Sequence, residues 1–297
     1  MYEIALIHDS APALLGSLPA NARIVAATSL EGAAAPSGAA AFAGIDELLV
    51  GSSAPLVWVH TRTGYHAEYA IKALQAGRDV LCNAPLCITN SAAWQILETA
   101  RYTRRRIWVA DAACAFWKQL RTEIGAITRL HAWARSNSRE TGNTFPDGGL
   151  LHTRFYALAK ALATLTGPLL SAEEQIEHEG DGERGGHAAL HFGEDATGYL
   201  DWSLITDSEQ APGFSVQAEG SKGKATIAGT FGADDSMQIS VVNCEGITLA
   251  DPGTIDNSDA NWQGVLTGGE VPEWNAFDAL RTVEFIDRIY GRVRKLS

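Results

Sequence analysis

The sequence predicts a Rossmann-like α/β domain with a parallel sheet, followed by an α+β domain with a large, open and mostly antiparallel sheet. Short apolar runs alternate with helical patterns over residues 1–113, which implies βαβ crossovers between parallel strands. Strand patterns with short turns dominate from Ile176 to Leu249, which favours antiparallel pairing. The length of 297 residues is that of two ordinary domains. We therefore expect domains at 1–113 and 114–297, with a final helix that could pack back on the first.

In the first domain, strands and helices are predicted in strict alternation. The clearest helix carries Ala67, Ala70, Ile71 and Leu74 at i, i+3, i+4 and i+7, and Gly77 ends it. The other predicted helices are roughly Ala11–Leu18, Ile45–Val50 and Ser91–Tyr102. The predicted strands are Glu3–His8, Arg23–Thr28, Pro55–His60, Asp79–Cys82 and Ile107–Ala110.

The pattern changes in the second domain. A long helix is predicted from Gly149 to Thr166, because its apolar residues step by four and three positions. Asp251–Val271 is predicted to be a long polar connection, and a last helix carries Ala276 to Tyr290. A short helix is expected at Trp117–Ile124, and the strands are Thr128–Arg135, His187–Phe192, Gly198–Ile205, Phe214–Glu219, Ala225–Ile227 and Met237–Val242.

Composition argues against several classes of partner. The formal net charge is −12 and the isoelectric point is about 5.1, so the surface repels phosphate backbones and we expect no nucleic-acid binding. No apolar run reaches membrane-spanning length, and the N-terminus lacks the features of a signal peptide. The four cysteines show no metal-ligand spacing. We expect a cytoplasmic protein without a metal site.

One stretch is more specific than the fold pattern. The run PLVWVHTRTGYHAEYAIKALQAGRDVLCNAPLCITNSAAWQIL, from Pro55 to Leu97, resembles the middle of the Gfo/Idh/MocA family of oxidoreductases. The family has, in the same order, a strand, a turn, a helix led by His-Ala-Glu, and a Glu-Lys-Pro motif. Gly148-Gly149 and the segments GYLDWS and AEGSKGKATI extend the resemblance over most of the chain. It implies a two-domain dehydrogenase layout, with His66 as a structural residue at the helix start.

The resemblance implies NAD or NADP as the cofactor, and the chain departs from the family at the positions that hold it. His8, Ser10 and Ala13 stand where the family has the glycines of GxGxxG. Their Cβ atoms fill room that the pyrophosphate needs. Ser29 stands where an acid binds the ribose hydroxyls. The cofactor-facing positions implied by the resemblance are His8, Ser10, Ala13, Ser29, Thr61, Thr63 and Asn83. A chain that binds no nicotinamide cofactor remains the alternative.

The positions that carry the family's chemistry also differ. Glu-Lys-Pro has become Asn83-Ala84-Pro85, and Ala84 cannot assist proton transfer as the lysine does. In the family's Asp-x-Gly-x-His motif, His152 takes the Asp position and Tyr156 the His position. These two residues share one face if the helix includes both. They are either remnants that line a cleft between the domains or an altered acid/base pair. A register slip by one residue would place Thr153 and Ala157 there instead.

Three functions follow from these observations. The preferred one is a family homologue that has lost hydride transfer and binds a small molecule or a partner subunit, as a regulator or an inactive subunit. The first alternative is a working NAD(P)-dependent oxidoreductase of a sugar, a polyol or a related small molecule. The second is a non-redox isomerase or lyase that uses His152 or Tyr156. The resemblance further implies a carbohydrate-like ligand and a homodimer or homotetramer formed through the C-terminal sheet.

Overall fold

Aliphatic and β-branched runs form the six parallel strands of the first sheet. The structure, a computed structural model, describes residues 1–9, 18–110, 115–137, 147–180, 182–193, 195–205, 211–232, 236–249 and 258–292. The strands are β1 (Tyr2–His8), β2 (Ala22–Ser29), β3 (Ala40–Phe42), β4 (Leu56–His60), β5 (Asp79–Asn83) and β6 (Ile107–Ala110), in the order β3-β2-β1-β4-β5-β6. Ile4 to His8 are buried without alternation, as expected for a strand covered on both faces.

The chain forms two compact units, residues 1–111 with 257–280 and residues 112–256 with 281–297. The helices of the first unit are α1 (Ile45–Gly51), α2 (Thr63–Gln75), α3 (Asn90–Thr103) and α6 (Ser258–Thr267), with a 3-10 helix at Pro272–Trp274. Gly77 has φ 77°, and its N–H donates to the carbonyl of Leu74, so it ends α2 as the sequence predicts. The predicted helix at Ala11–Leu18 lies outside the described residues, except for Leu18 itself.

The predicted polar connection at Asp251–Val271 is wrong, because it contains α6. Trp262 of this helix packs edge-to-face on Trp58 and Trp274, with ring centroids 5.4 and 5.7 Å apart. All three indoles are at least 93% buried. Trp262, Val265 and Leu266 are the large apolar residues of a helix whose other positions are polar or small. A short amphipathic helix was therefore hidden in a polar segment.

The second unit contains a seven-stranded sheet. Its strands are β7 (Ile127–Asn137), β8 (Ser171–Glu179), β9 (Gly182–His191), β10 (Thr197–Ile205), β11 (Gly213–Gly220), β12 (Lys224–Phe231) and β13 (Met237–Glu245). The order is β13-β12-β11-β7-β10-β9-β8, and among the described strands of this second sheet only the β7–β10 pair is parallel. The predicted fold class is therefore confirmed. The helices are α4 (Ala115–Ile124) and α5 (Tyr156–Thr166), and α7 (Ala276–Ile289) begins in the first unit and ends in the second.

The long helix predicted from Gly149 is shorter than expected. Gly148 and Gly149 have φ of 95° and 99°, a left-handed backbone that a regular helix cannot contain. Turns follow, and α5 begins only at Tyr156. A Cβ on Gly149 would lie 2.5 Å from the Glu183 carboxylate and 2.7 Å from the Tyr290 hydroxyl. Close packing against these two side chains therefore replaces the first turns of the helix.

The helices of the described segments are all too short or too polar to cross a membrane.

We predict that Trp262→Ala destabilises the first unit by about 3–5 kcal/mol, because it opens a cavity between two other tryptophans. Urea unfolding followed by circular dichroism measures the loss. Tyr102→Ala is the control, because Tyr102 is 90% exposed on α3, and it should change stability by about 0.5 kcal/mol or less. Equal effects of the two substitutions would contradict the packing role of α6.

Candidate functional site

The carboxyl ends of the parallel strands meet at one edge of the first sheet. His8 pairs with Ser29 on one side and with His60 on the other, and Asn83 pairs with Ala110. Open α/β sheets bind ligands outside this edge. The structure thus brings His8, Ser29 and Asn83 to the ends of β1, β2 and β5. Thr61 follows β4 and Thr63 begins α2. Ser10 and Ala13, the other two predicted positions, lie outside the described residues.

An ion-pair network of the chain's own side chains spans the ends of β1, β2 and β4. The backbone N–H of Arg62 donates to the carboxylate of Asp9. The Arg62 guanidinium lies 4.0 Å from Asp9 and 3.0 Å from Glu31. Arg62 is the N-cap residue of α2, where a free N–H would favour an anionic ligand. Here that N–H is bound by an internal carboxylate, and two carboxylates face one guanidinium.

The polar residues after β1 and β2 are paired within the chain or buried. The Ser29 hydroxyl accepts a hydrogen bond from the Ala33 N–H at 2.8 Å, so it closes the turn after β2. Glu31, the nearest acid after that strand, is paired with Arg62. His8 is fully buried at the end of β1. In the part of the chain that the structure describes, the polar groups of Ser29 and Glu31 are therefore engaged by other residues of the chain.

A hydrogen-bonded chain of side chains links β4 and β5. The Trp58 indole N–H donates to Oδ1 of Asn83 at 2.7 Å, and the Asn83 side chain also hydrogen-bonds His60. Burial lowers the pKa of His60, and the bond to Asn83 opposes this only in part. His60 is therefore neutral at neutral pH, and its buried Nδ1 has no hydrogen-bond partner among the described residues. Ala84 follows Asn83 and supplies no proton-transfer group.

His66 connects the two loops that follow β4 and β5. It is 1% exposed, and its ring nitrogens lie 2.6 Å from the carbonyl oxygens of Thr61 and Pro85. Burial lowers the pKa of this imidazole, whereas the two carbonyl contacts raise it. A neutral ring donates to one of the two carbonyls. These contacts fit the structural role expected for His66.

In the second unit, a buried carboxylate organises the segment after Gly149. Glu183 is 4% exposed and accepts hydrogen bonds from the indole of Trp202 at 2.6 Å, from the N–H of Leu150 at 2.8 Å and from the hydroxyl of Tyr290 at 2.9 Å. The Tyr290 hydroxyl in turn accepts from the N–H of Leu151 at 3.1 Å. Burial raises the pKa of Glu183, and these hydrogen bonds lower it again in part.

His152 lies inside this network rather than on a helix. Its Nδ1 donates to the Gly148 carbonyl at 3.1 Å, and its ring stacks on Tyr290 with centroids 6.2 Å apart. Burial, followed by the charge of Arg292, lowers the pKa of His152 to about 3. The unprotonated Nε2 has no hydrogen-bond partner among the described residues. A group with this pKa is a weak base at neutral pH.

The predicted common helix face for His152 and Tyr156 is wrong, because only Tyr156 belongs to α5. Tyr156 is 6% exposed at the first position of that helix. The participation of either residue in acid/base chemistry stays a prediction.

Several residues that shape these sites have no local signature in the sequence. Glu183 and Tyr290 are 107 positions apart, and no motif connects them. Sequence reasoning could have found Arg62, because it lies in the turn between β4 and α2, and such turns border the ligand-binding edge of a parallel sheet.

Comparison with known proteins gives one family match, which covers the first third of the chain. Residues 13–111 match GFO_IDH_MocA, described as "Oxidoreductase family, NAD-binding Rossmann fold". No curated protein matches the sequence significantly.

Solved structures are similar over nearly the whole chain. The WlbA dehydrogenase from Bordetella pertussis, in complex with NADH and UDP-GlcNAcA, is 19% identical, with a TM-score of 0.79 over 98% of this chain and 96% of that chain. The aldose-aldose oxidoreductase from Caulobacter crescentus, complexed with glycerol, is 17% identical, with a TM-score of 0.73 over 98% and 97%. A mutant of the 3-ketoreductase KijD10 from Actinomadura kijaniata, in complex with TDP-benzene and NADP, is 22% identical, with a TM-score of 0.69 over 99% and 98%. At these identities the likeness is one of fold.

We predict that His152 makes stability depend on pH between its unfolded pKa of 6.5 and its folded pKa of about 3. In this window the unfolded chain binds more protons, so the free energy of unfolding falls as the pH falls, by at most about 1.4 kcal/mol per pH unit. Above the window the contribution is fully present. Urea unfolding of the wild type and of His152→Phe, at a series of pH values, measures the difference.

His187→Asn is the matched control, because His187 is exposed on β9. It should keep the wild-type pH dependence, whereas His152→Phe should lose part of it. Parallel curves for all three proteins would show that His152 titrates normally.

Proposed function

Because residues 13–111 match a family of NAD-binding oxidoreductases, we propose that the chain is a Gfo/Idh/MocA homologue that binds a small carbohydrate-like molecule and has lost nicotinamide-dependent hydride transfer. The observation that carries this proposal is the network of Asp9, Arg62 and Glu31 across the carboxyl edge of the sheet. A dinucleotide would have to displace the Asp9 carboxylate from the N–H of Arg62 and bring its own negative charges next to two acids. Both steps oppose binding.

The residues available for chemistry support the same proposal. Ala84 stands at the family's lysine position, and His152 is neutral with a pKa of about 3. A positioned acid or base contributes a factor of about 10²–10⁴ to a rate, and neither residue offers this at neutral pH. The protein would then act as a regulator or an inactive subunit, and its ligand would reach the neutral His60 and Asn83 at the ends of β4 and β5.

The carbohydrate-like ligand is inferred from the solved structures of similar fold. One of them holds UDP-GlcNAcA and another is an aldose-aldose oxidoreductase. Sugar hydroxyls both donate and accept hydrogen bonds. Neutral His60 and the amide of Asn83, both half-buried at the strand ends, are polar groups of this kind.

A working NAD(P)-dependent oxidoreductase of a sugar or polyol is the second candidate. The observation in its favour is the fold itself, because structures with NADH and with NADP match this chain over nearly its full length. In this case the ion pairs of Arg62 would have to open when the nucleotide binds.

We also propose that the open face of the seven-stranded sheet pairs with a second copy of the chain. Along β10, exposed and buried residues alternate, and Tyr199 on the outer face is 61% exposed. An exposed sheet face with large side chains is typical of an interface.

We predict no binding when the purified chain is titrated with NAD⁺, NADH, NADP⁺ and NADPH in a calorimeter. A ligand present at about 100 times its Kd would stabilise the fold by about 2.7 kcal/mol, so thermal unfolding provides an independent readout. Micromolar binding by the wild type would overturn the proposal and favour the oxidoreductase.

The double variant Asp9→Asn/Glu31→Gln tests the physical cause, because it removes both carboxylates that face Arg62. We expect it to bind the nucleotides more tightly than the wild type. Asp46→Asn/Glu47→Gln is the matched control, because it removes two charges in the first turn of α1. If both double variants bind equally, net charge rather than the network at the sheet edge governs the affinity.

A further inference from the structure

A groove of about 800 Å³ lies in the first unit. Its walls are α3 and the segment between α6 and the start of α7, and its floor includes Ile107 and Trp108 at the beginning of β6. None of the residues that line the groove is one of those at the strand ends of the candidate site. A ligand in the groove would therefore contact other side chains than a ligand at the carboxyl edge.

Aromatic side chains form much of this groove. Trp94 and Phe277 face each other edge-to-face, with ring centroids 6.5 Å apart, and they remain 46% and 55% exposed. Trp108 and Trp274 are buried beneath them. The indole N–H of Trp108 donates to the Gly269 carbonyl at 3.2 Å, which holds the floor in place. Large aromatic side chains that stay in water on a rigid base are typical of a binding surface.

Polar groups of both kinds surround the aromatic rings. Arg101 and Arg105 supply donors, and Glu98 and Glu270 supply acceptors. None of these four side chains forms an ion pair or a side-chain hydrogen bond with another described residue. Asn275 uses its Oδ1 to accept from the N–H of Phe277 at 2.7 Å, which leaves its amide N–H groups for another partner. The groove thus offers free donors and free acceptors side by side.

Exposed aromatic rings surrounded by both donors and acceptors suit some classes of ligand better than others. An anionic ligand would meet two carboxylates as well as the arginines, and the core of a protein interface is usually depleted of charged side chains. A saccharide ring presents an apolar C–H face together with hydroxyls that both donate and accept. The groove volume also lies within the range of about 300–1,000 Å³ that small-ligand sites have.

We propose that this groove is a saccharide-binding site, in which the ring of one sugar unit packs on Trp94 and Phe277 and its hydroxyls bond Arg101, Arg105, Glu98 and Glu270. The site is independent of the function proposed for the carboxyl edge. It would keep the protein on a glycan.

The test is a titration of the full-length, ¹⁵N-labelled chain with neutral oligosaccharides of glucose and of N-acetylglucosamine, followed by the indole N–H signal of Trp94. Trp94→Phe assigns the signal by its disappearance. We expect at least one saccharide to shift this signal saturably below about 10 mM, which corresponds to a binding free energy of about −3 kcal/mol.

Substitutions in the groove decide whether the shift reports this site. Trp94→Ala and Arg101→Gln/Arg105→Gln should weaken binding about tenfold or more, a loss of about 1.4 kcal/mol, as measured on the Ile107 backbone amide. Tyr102→Ala is the matched control, because it removes an exposed aromatic ring from the same helix outside the groove, and it should bind as the wild type does. Asp9→Asn should also leave this binding unchanged, which separates it from the carboxyl edge.

Two results would overturn the proposal. One is the absence of any shift of the Trp94 signal with all of these saccharides at about 10 mM, where even a site of this weak affinity is half occupied. The other is binding that the groove variants leave unaltered. A shift caused by poly-glutamate and by none of the saccharides would count against a saccharide site and identify the groove as a docking surface for acidic proteins.

Discussion

A carboxylate that leaves water must be met by hydrogen-bond donors, and this requirement shapes the polar centre of each unit. In the second unit, Glu183 takes the N–H of Leu150 and the hydroxyl of Tyr290, and the chain after Gly149 turns to supply them. In the first unit, Asp9 takes the N–H of Arg62. In both places, an internal acid uses backbone donors that would otherwise remain available to a helix or to a ligand.

Burial also determines the protonation state of histidines in both units. Burial lowers the pKa of His60, of His66 and of His152, so each ring is neutral at neutral pH. Neutral imidazoles contribute hydrogen bonds but no positive charge toward a pyrophosphate. The guanidinium of Arg62 is the cation that the described residues place at the carboxyl edge, and it is already shared between two acids. The charges and the hydrogen bonds of this edge therefore both disfavour an anionic ligand.

The residues at the strand ends could be predicted from the sequence, but the side chains that contact them could not. His8, Ser29 and Asn83 stand at the strand ends because apolar runs stop there, and parallel strands end at one edge. The helix from Gly149 and the connection before Val271 were predicted wrongly. In the first case, Glu183, which is distant in sequence, accepts a hydrogen bond from the N–H of Leu150. The chain after Gly149 therefore forms turns instead of the first part of a helix. In the second, Trp262 of α6 packs against Trp58 and Trp274, which belong to other elements.

The sequence by itself determined the alternation of strands and helices in the first domain and the mostly antiparallel second sheet. These features depend on local periodicity and on residue identity, which the chain carries without folding. The tertiary structure decided that Asp9 and Glu31 share Arg62, that His152 is buried and neutral, and that α3 and the segment after α6 form an aromatic groove. Each of these depends on contacts between residues far apart in sequence, where burial and charge act only once the chain has folded.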